Sequence, residues 1–153
     1  MFEITTTAAT PAHARELAPR LRYQDVEELR ASSGEEPEAA LLASLAVSSK
    51  AWAGLRDGVV QVLFGVAPVS PGLGSPWLLS SEDIYRWPRR FYVESRHFMD
   101  LMHEDFPVLT NFVDDRNLRS QRWLKRLGFT PGRREPEYGV GRLPFTQYTS
   151  VRT

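Results

Sequence analysis

The spacing of apolar residues changes several times along the chain, and each change predicts a new element. Phe2 to Thr6 is a short β-prone stretch. Thr10 and Pro11 follow as an N-cap and first-turn pair, so a helix is expected from Pro11. Up to about Ala31 the residues Leu17, Leu21, Val26 and Leu29 recur at broken helical spacing. One or two amphipathic helices fit, the second beginning at Gln24 and Asp25 after a bend near Arg22. Ser32, Ser33 and Gly34 stop this pattern, and Glu35 to Ser48 restarts it with Pro37 in the first turn, acids at the positive end and an Ala/Leu face. From Lys50 to Val69, two β-prone runs flank Asp57-Gly58 and predict a hairpin. Val69 to Pro76 holds two Pro and two Gly and reads as a loop, with Pro76 to Ser80 as a short buried strand.

In the second half, Arg89 to Glu104 carries Tyr92, Val93, Met99 and Met102 at helical spacing, closed by Phe106-Pro107. Val108 to Val113 alternates as a strand. Asn117 is placed to cap another helix, with Trp123, Leu124 and Leu127 as its inner face, Gly128 at the left-handed C-terminal position and Phe129 folding back. The tail from Phe129 to Thr153 has turn residues at Pro131-Gly132 and at Gly139 to Gly141, then a β-prone end from Phe145 to Val151, and reads as a last strand or hairpin. The order is β, helices, β-β-β, α, β, α, β, a mixed α/β class with antiparallel hairpins and no linker or repeat.

Composition narrows this picture. A chain of 153 residues, 42% hydrophobic and 25% charged, is expected to form one folded domain and excludes a disordered or fibrous chain. The net charge of zero removes the simplest case for a polyanion binder, but residues 1–85 carry eleven acids and six bases while 86–153 carry eight acids and thirteen bases. The chain is therefore −5 followed by +5. Of its bases only Lys50 and Lys125 are lysines, so the cations are nearly all guanidinium groups, which bind phosphate in pairs of hydrogen bonds. With no cysteine there is no thiolate nucleophile and no Cys-based zinc site. The start lacks the basic and apolar regions of a signal peptide, and the longest apolar candidate, Val59 to Val69, is broken by Gln61, so no membrane span is expected.

Several chemistries are absent at this level. His13, His97 and His103 are dispersed, so no metal is expected; Gly72-Leu-Gly74 is no phosphate loop, and no G-x-S-x-G elbow occurs. The four tryptophans read as core or interface anchors, with Trp87, beside arginines and a proline, expected to be exposed.

The element order is similar to the GNAT acetyltransferase fold, in which two helices precede three antiparallel strands and a β-α-β-α-β half follows. Asn117-Leu-Arg-Ser120-Gln-Arg-Trp-Leu124-Lys-Arg-Leu-Gly128-Phe129 resembles that family's N-x-x-(A/S)…L-G-F segment. A narrower resemblance spans most of the chain. The Ala/Leu helix, the apolar hairpin, Ser81 to Arg86, Arg89-Arg90-Phe91, Asn111-Phe-Val113 and Trp123 to Gly128 together look like the internal virion protein A group of short-tailed phages.

The GNAT resemblance implies a single domain over residues 1–153 and, in active members, acetyl-CoA held by backbone N–H groups at a glycine-rich helix start, (R/Q)-x-x-G-x-(G/A). Arg86 matches the first base, but Arg89 and Phe91 take the small positions, and Trp87 and Pro88 lie between Arg86 and Arg89. Arg86, Arg89, Arg90 and Asn117 are the candidate cofactor-binding residues. Arg86, Arg89, Arg90 and Arg96 either hold a phosphate, of CoA or of nucleic acid, or are a solvated face paired with acids of the first half. Arg119, Arg122 and Arg126 share a helix face and carry the same two readings, so nucleic acid is a possible partner there.

The family's general-acid tyrosine falls at Leu124, which cannot donate a proton. Tyr85, Tyr92 and Tyr138 have no spacing that assigns them instead, and catalytic residues stay unassigned. Glu82 and Asp83 suit either a general base raised by burial or N-caps of the following turn. The phage resemblance implies a virion or assembly-associated protein, located in the virion or host cytoplasm, that uses a divergent, non-catalytic GNAT-like fold to bind other virion components without a cofactor. The alternative is an active acetyl-CoA-dependent N-acyltransferase.

Overall fold

A computed structural model describes residues 4–152. Among them the strands form one seven-stranded sheet in the order β1-β2-β3-β4-β5-β7-β6. The strands are β1 (Ile4–Ala8), β2 (Lys50–Arg56), β3 (Val59–Ser70), β4 (Leu73–Ser80), β5 (Val108–Asp114), β6 (Thr130–Tyr138) and β7 (Leu143–Val151). All neighbours run antiparallel except β4 and β5. The helices are α1 (Pro11–Leu17), α2 (Tyr23–Ser32), α3 (Pro37–Val47), α4 (Pro88–Asp105) and α5 (Leu118–Arg126). Of the expected first strand, residues 2 and 3 lie outside the described residues.

Local chemistry explains the helix boundaries. Thr10 Oγ1 accepts the His13 N–H at 3.3 Å while His13 Nδ1 accepts the Thr10 N–H at 3.1 Å, a reciprocal cap that fixes the start of α1. Pro19 cannot supply an intrahelical N–H, so α1 ends in a 3-10 turn, Ala18–Arg20. Arg22 then adopts extended backbone (ψ 151°), and α2 begins at Tyr23, confirming the bend expected there. At the other end of the chain, Asn117 Oδ1 accepts the Ser120 N–H, Gly128 has φ +96°, and the Phe129 N–H returns to the Leu124 carbonyl at 2.9 Å.

Alternation along β3, with a register shift at Gln61 that brings Val60 onto the face of Leu63, divides the interior into two cores. Leu63 and Val60 are fully buried with Leu17 and Leu41 of α1 and α3 on one face. Phe64 and Val66 face α4, where Met99 and Met102 pack and where the Trp52, Phe64 and Phe98 rings meet at centroid distances of 4.9 to 5.5 Å.

Two sequence expectations are corrected. The segment Val69 to Pro76 is not a loop: β3 and β4 pair through Ser70↔Leu73 and Ala67↔Ser75, leaving a two-residue turn at Pro71-Gly72. The prolines mislead because Pro68 sits at a register shift and the Pro76 carbonyl points toward the β5 side, where its missing N–H leaves no ladder bond unmade. Likewise Pro131-Gly132 is a register shift inside edge strand β6, not a turn, and the tail is a full hairpin whose second strand pairs with β5.

The turn of that hairpin docks on α2. The Val140 N–H donates to the Ser32 carbonyl at 3.0 Å and the Gly141 N–H to Ala31 at 2.9 Å, satisfying carbonyls at the helix end. Gly139 makes the approach possible: its φ is +68°, and a Cβ there would lie 2.5 Å from the Ala31 and Ser32 carbonyl oxygens. Gly139→Ala is therefore expected to destabilise the fold by about 2 kcal/mol, read as a lowered denaturation midpoint, whereas Gly58→Ala, at similar φ but in open space, costs less.

Candidate functional site

β4 and β5 pair only at Leu73↔Val108 and Gly74↔Leu109, yet they continue to Ser80 and Asp114. A parallel pair that splays leaves facing N–H and C=O groups without strand partners, and each must be satisfied another way. Near the narrow end, Asn111 Nδ2 crosses the gap to the Pro76 carbonyl at 2.6 Å. Toward the wide end, α2 supplies two carboxylates one turn apart. Asp25 Oδ2 accepts the Ser80 N–H of β4 at 2.9 Å, and Glu28 Oε1 accepts the Asp114 N–H of β5 at 2.8 Å.

Arg22 ties this wedge together. Its Nε donates to Asp25 Oδ1 at 3.1 Å, its Nη2 to Asn117 Oδ1 at 2.9 Å and to Ser120 Oγ at 3.2 Å, and its backbone N–H to the Ser80 carbonyl at 2.9 Å. One buried guanidinium thus joins α2, the end of β4 and the start of α5. Burial pushes the Asp25 carboxyl up, with Arg22 pulling against it.

Glu28 stands differently. Asp25 is paired with Arg22 and Asp114 with Arg116, but Glu28 has no ion pair among the described residues. Burial raises its carboxyl to about 7; the Asp114 N–H pulls down, and the charges of Asp25 and Asp114 push further up. Only partly buried, it lines a cavity of about 220 Å³. The lining of that cavity begins under α4 at Phe64, Phe98 and Met99, passes Asn111 and Phe112 in the strand gap, and reaches Glu28 on the other side of the sheet. An apolar channel ending on a carboxyl with pKa near neutrality suits proton abstraction from a bound group.

The candidate residues named from sequence fall into two places. Arg86, Arg89 and Arg90 gather at the start of α4 with Trp87, which is 39% exposed as expected. Arg86 lies 3.5 Å from Asp83, whereas Arg89 and Arg90 are exposed and have no ion pair among the described residues. Asn117 stands apart from them, buried as the cap of α5 and the acceptor for Arg22. Pairing within the chain thus accounts for Arg86, and for Arg119, which meets Glu82 at 3.2 Å, but not for Arg89 or Arg90.

The capping expected of Glu82 and Asp83 belongs to Ser81, whose Oγ accepts the Asp83 N–H at 3.2 Å. Asp83 is held by Arg56 at 2.5 Å and Glu82 by Arg119 at 3.2 Å. Leu124 packs against the second core. Tyr85 lines the cavity, with the Arg119 guanidinium 4.2 Å from its ring centre; Tyr92 donates to the Arg126 carbonyl, and Tyr138 stacks on Phe112. His103 is bonded to the Phe106 carbonyl and Ser150, and no group of metal-ligating side chains occurs among the described residues.

No family model matches the chain, and no curated protein matches it in sequence. Solved structures match its fold. An acetyltransferase of the GNAT family from Streptococcus pneumoniae superposes with a TM-score of 0.67 at 13% identity, over 99% of this chain and 100% of that one. The ribosomal-protein-S18-alanine N-acetyltransferase from Escherichia coli gives 0.72 at 12% identity, over 97% and 94%. RimL, a ribosomal L7/L12 alpha-N-protein acetyltransferase in complex with coenzyme A, gives 0.66 at 13%, over 97% and 93%. The chain has the GNAT fold.

The Glu28 environment has a measurable consequence. Its carboxyl titrates near 4.5 in an unfolded chain and about 7 in the fold, so the fold favours the protonated form. That contribution to stability is complete below about 4.5 and is lost as pH rises through about 7. A pH series of melting temperatures is expected to show wild type falling relative to Glu28→Gln across this window; parallel curves would show that the carboxyl titrates normally.

Proposed function

We propose that the protein is an N-acyltransferase that takes its acyl group from acetyl-CoA or a related acyl-CoA, with Glu28 as general base. The observation that carries this reading is a largely apolar cavity lined by residues of α4, β4 and β5 and by Glu28, whose carboxyl is raised to about 7.

The residues fit such a cofactor by charge, not by the usual backbone cradle. Arg89 and Phe91 stand where small residues would let a diphosphate approach, and Pro88 contributes no N–H. Arg86, Arg89 and Arg90 would hold the diphosphate with guanidinium groups instead. The cofactor, when bound, supplies an acyl thioester. The apolar walls around Phe64 and Phe98 exclude water from the gap, and Glu28, steadied by the Asp114 N–H and the neighbouring Asn117, takes the proton from the incoming amine. Leu124 offers no proton to the leaving sulfur, but a thiol is acidic enough to leave as a thiolate that takes its proton from solvent.

The same Trp87-Pro88 turn favours a second reading, a binding module that performs no acyl transfer, in a phage particle as the narrower resemblance implies. Thermal unfolding with acetyl-CoA separates the two. Saturation to about 100 times Kd adds about 2.7 kcal/mol of stability, and Arg89→Ala with Arg90→Ala is expected to remove most of the shift. In an acetylation assay on amine acceptors, kcat/KM is expected to rise with an apparent pKa near 7, and Glu28→Gln to lower it about 100- to 10,000-fold. An unshifted midpoint at millimolar acetyl-CoA selects the module.

A further inference from the structure

The outer face formed by α4 and α5 carries several arginines and, one turn beyond Arg96, the acid Asp100, which pairs with Arg152. Arg89, Tyr92 and Arg96 lie three and four residues apart on one side of α4, and Arg122 and Arg126 lie four apart on α5. The helices are locked together there: Phe91 stacks on Trp123 with ring centres 4.6 Å apart, and Tyr92 Oη donates to the Arg126 carbonyl at 3.1 Å. Arg96 and Arg126 both lie over the Tyr92 ring, at 5.9 and 4.9 Å, so the cations of the two helices belong to one surface.

Arg89, Arg96, Arg122 and Arg126 are all exposed, and none has an ion pair among the described residues. Their placement works against the free protein, since a cation in the first turn of α4 opposes the helix dipole and like charges three or four apart repel. Trp87, 39% exposed, sits at the edge of this surface.

We infer that the α4–α5 face binds single-stranded nucleic acid, the arginines tracking phosphates and Trp87 stacking on a base. Guanidinium groups along a track answer a chain of phosphates, and an exposed indole beside them answers an unpaired base, which a duplex does not present. Arg89 is shared with the proposed cofactor site, whereas Arg96, Arg122 and Arg126 have no part in the acyl-transfer reading, so charge reversals at Arg96 and Arg122 test this surface separately from it.

The test is fluorescence anisotropy of a labelled thymidine oligonucleotide of about 30 residues, titrated with the full chain. Four neutralised phosphates on a single strand predict a slope of log affinity against log salt near −3, or about a 50-fold loss between 50 and 200 mM salt. Arg96→Glu with Arg122→Glu, one charge reversal on each helix, is expected to weaken binding at least about tenfold and to flatten the slope, with the melting temperature confirming the fold. Trp87→Ala is expected to weaken oligonucleotide binding several-fold and heparin binding not at all. Affinity that is insensitive to salt or to the charge reversals overturns the proposal. So does duplex or heparin binding as tight as the oligonucleotide's, or equal binding of polyglutamate, which would assign the face to an acidic protein.

Discussion

The structure turns on how a sheet is held open. Two parallel strands that separate after two residue pairs expose N–H groups in the interior, and an unsatisfied buried N–H costs about 1–3 kcal/mol. Asp25 and Glu28 meet this demand from a single helix, each accepting from a different strand. Two carboxylates so close would repel, and Arg22 is what makes the arrangement tolerable. It neutralises Asp25 and spends its remaining donors on Asn117 and Ser120, so that nothing cationic is left for Glu28. The raised carboxyl is thus a by-product of the bracing. Removing Arg22 would leave Asp25 as an uncompensated buried charge, a defect on the order of 3–5 kcal/mol.

The charge asymmetry between the halves has a limited internal explanation. Arg119–Glu82, Arg86–Asp83 and Lys50–Asp105 join the two parts of the chain. Arg22–Asp25, Arg56–Asp83, Arg116–Asp114, Arg134–Asp115 and Arg142–Glu137 join residues within one part. The acids of the first half are therefore not a general counter-surface for the bases of the second. Several first-half acids line α2 at the strand gap, while second-half bases stand on the outer faces of α4 and α5. Zero net charge conceals this separation because it is a sum over opposite ends of the molecule.

The elements were legible where local chemistry decides them. The Asp57-Gly58 turn, the Thr10 and Asn117 caps and the Gly128 stop all act within a few residues, and each stands where the sequence places it. The segment Val69 to Pro76 misled because turn-forming composition cannot show that a proline faces a gap. Glu28 was invisible for a stronger reason. Its partner is the N–H of Asp114, 86 positions away, and no motif marks a glutamate whose environment is assembled by helix packing and strand divergence. The candidates that a family pattern could mark, Arg86, Arg89 and Arg90, lie in one continuous segment at the start of α4.

That division explains how the fold can carry an altered cradle. The width of the strand gap is set by α2, Arg22, Asn117 and Asn111, none of which belongs to the turn from Ser81 to Trp87. The turn is secured by the Ser81 cap and by Asp83 to Arg56, and it meets the brace where the Arg22 guanidinium lies 5.3 Å from the Tyr85 ring centre. Arg89 and Phe91 at the small positions, with Trp87 and Pro88 before them, therefore change what can approach the helix start while Asp25 and Glu28 keep their strand partners. Recognition of an anion then passes from fixed backbone donors to mobile side chains. Guanidinium groups keep the charge and the paired hydrogen bonds, but each must be ordered on binding, at about 0.5–1.5 kcal/mol per side chain. A site of this kind holds its anion less tightly than a preorganised cradle, while the groups at the strand gap keep their positions.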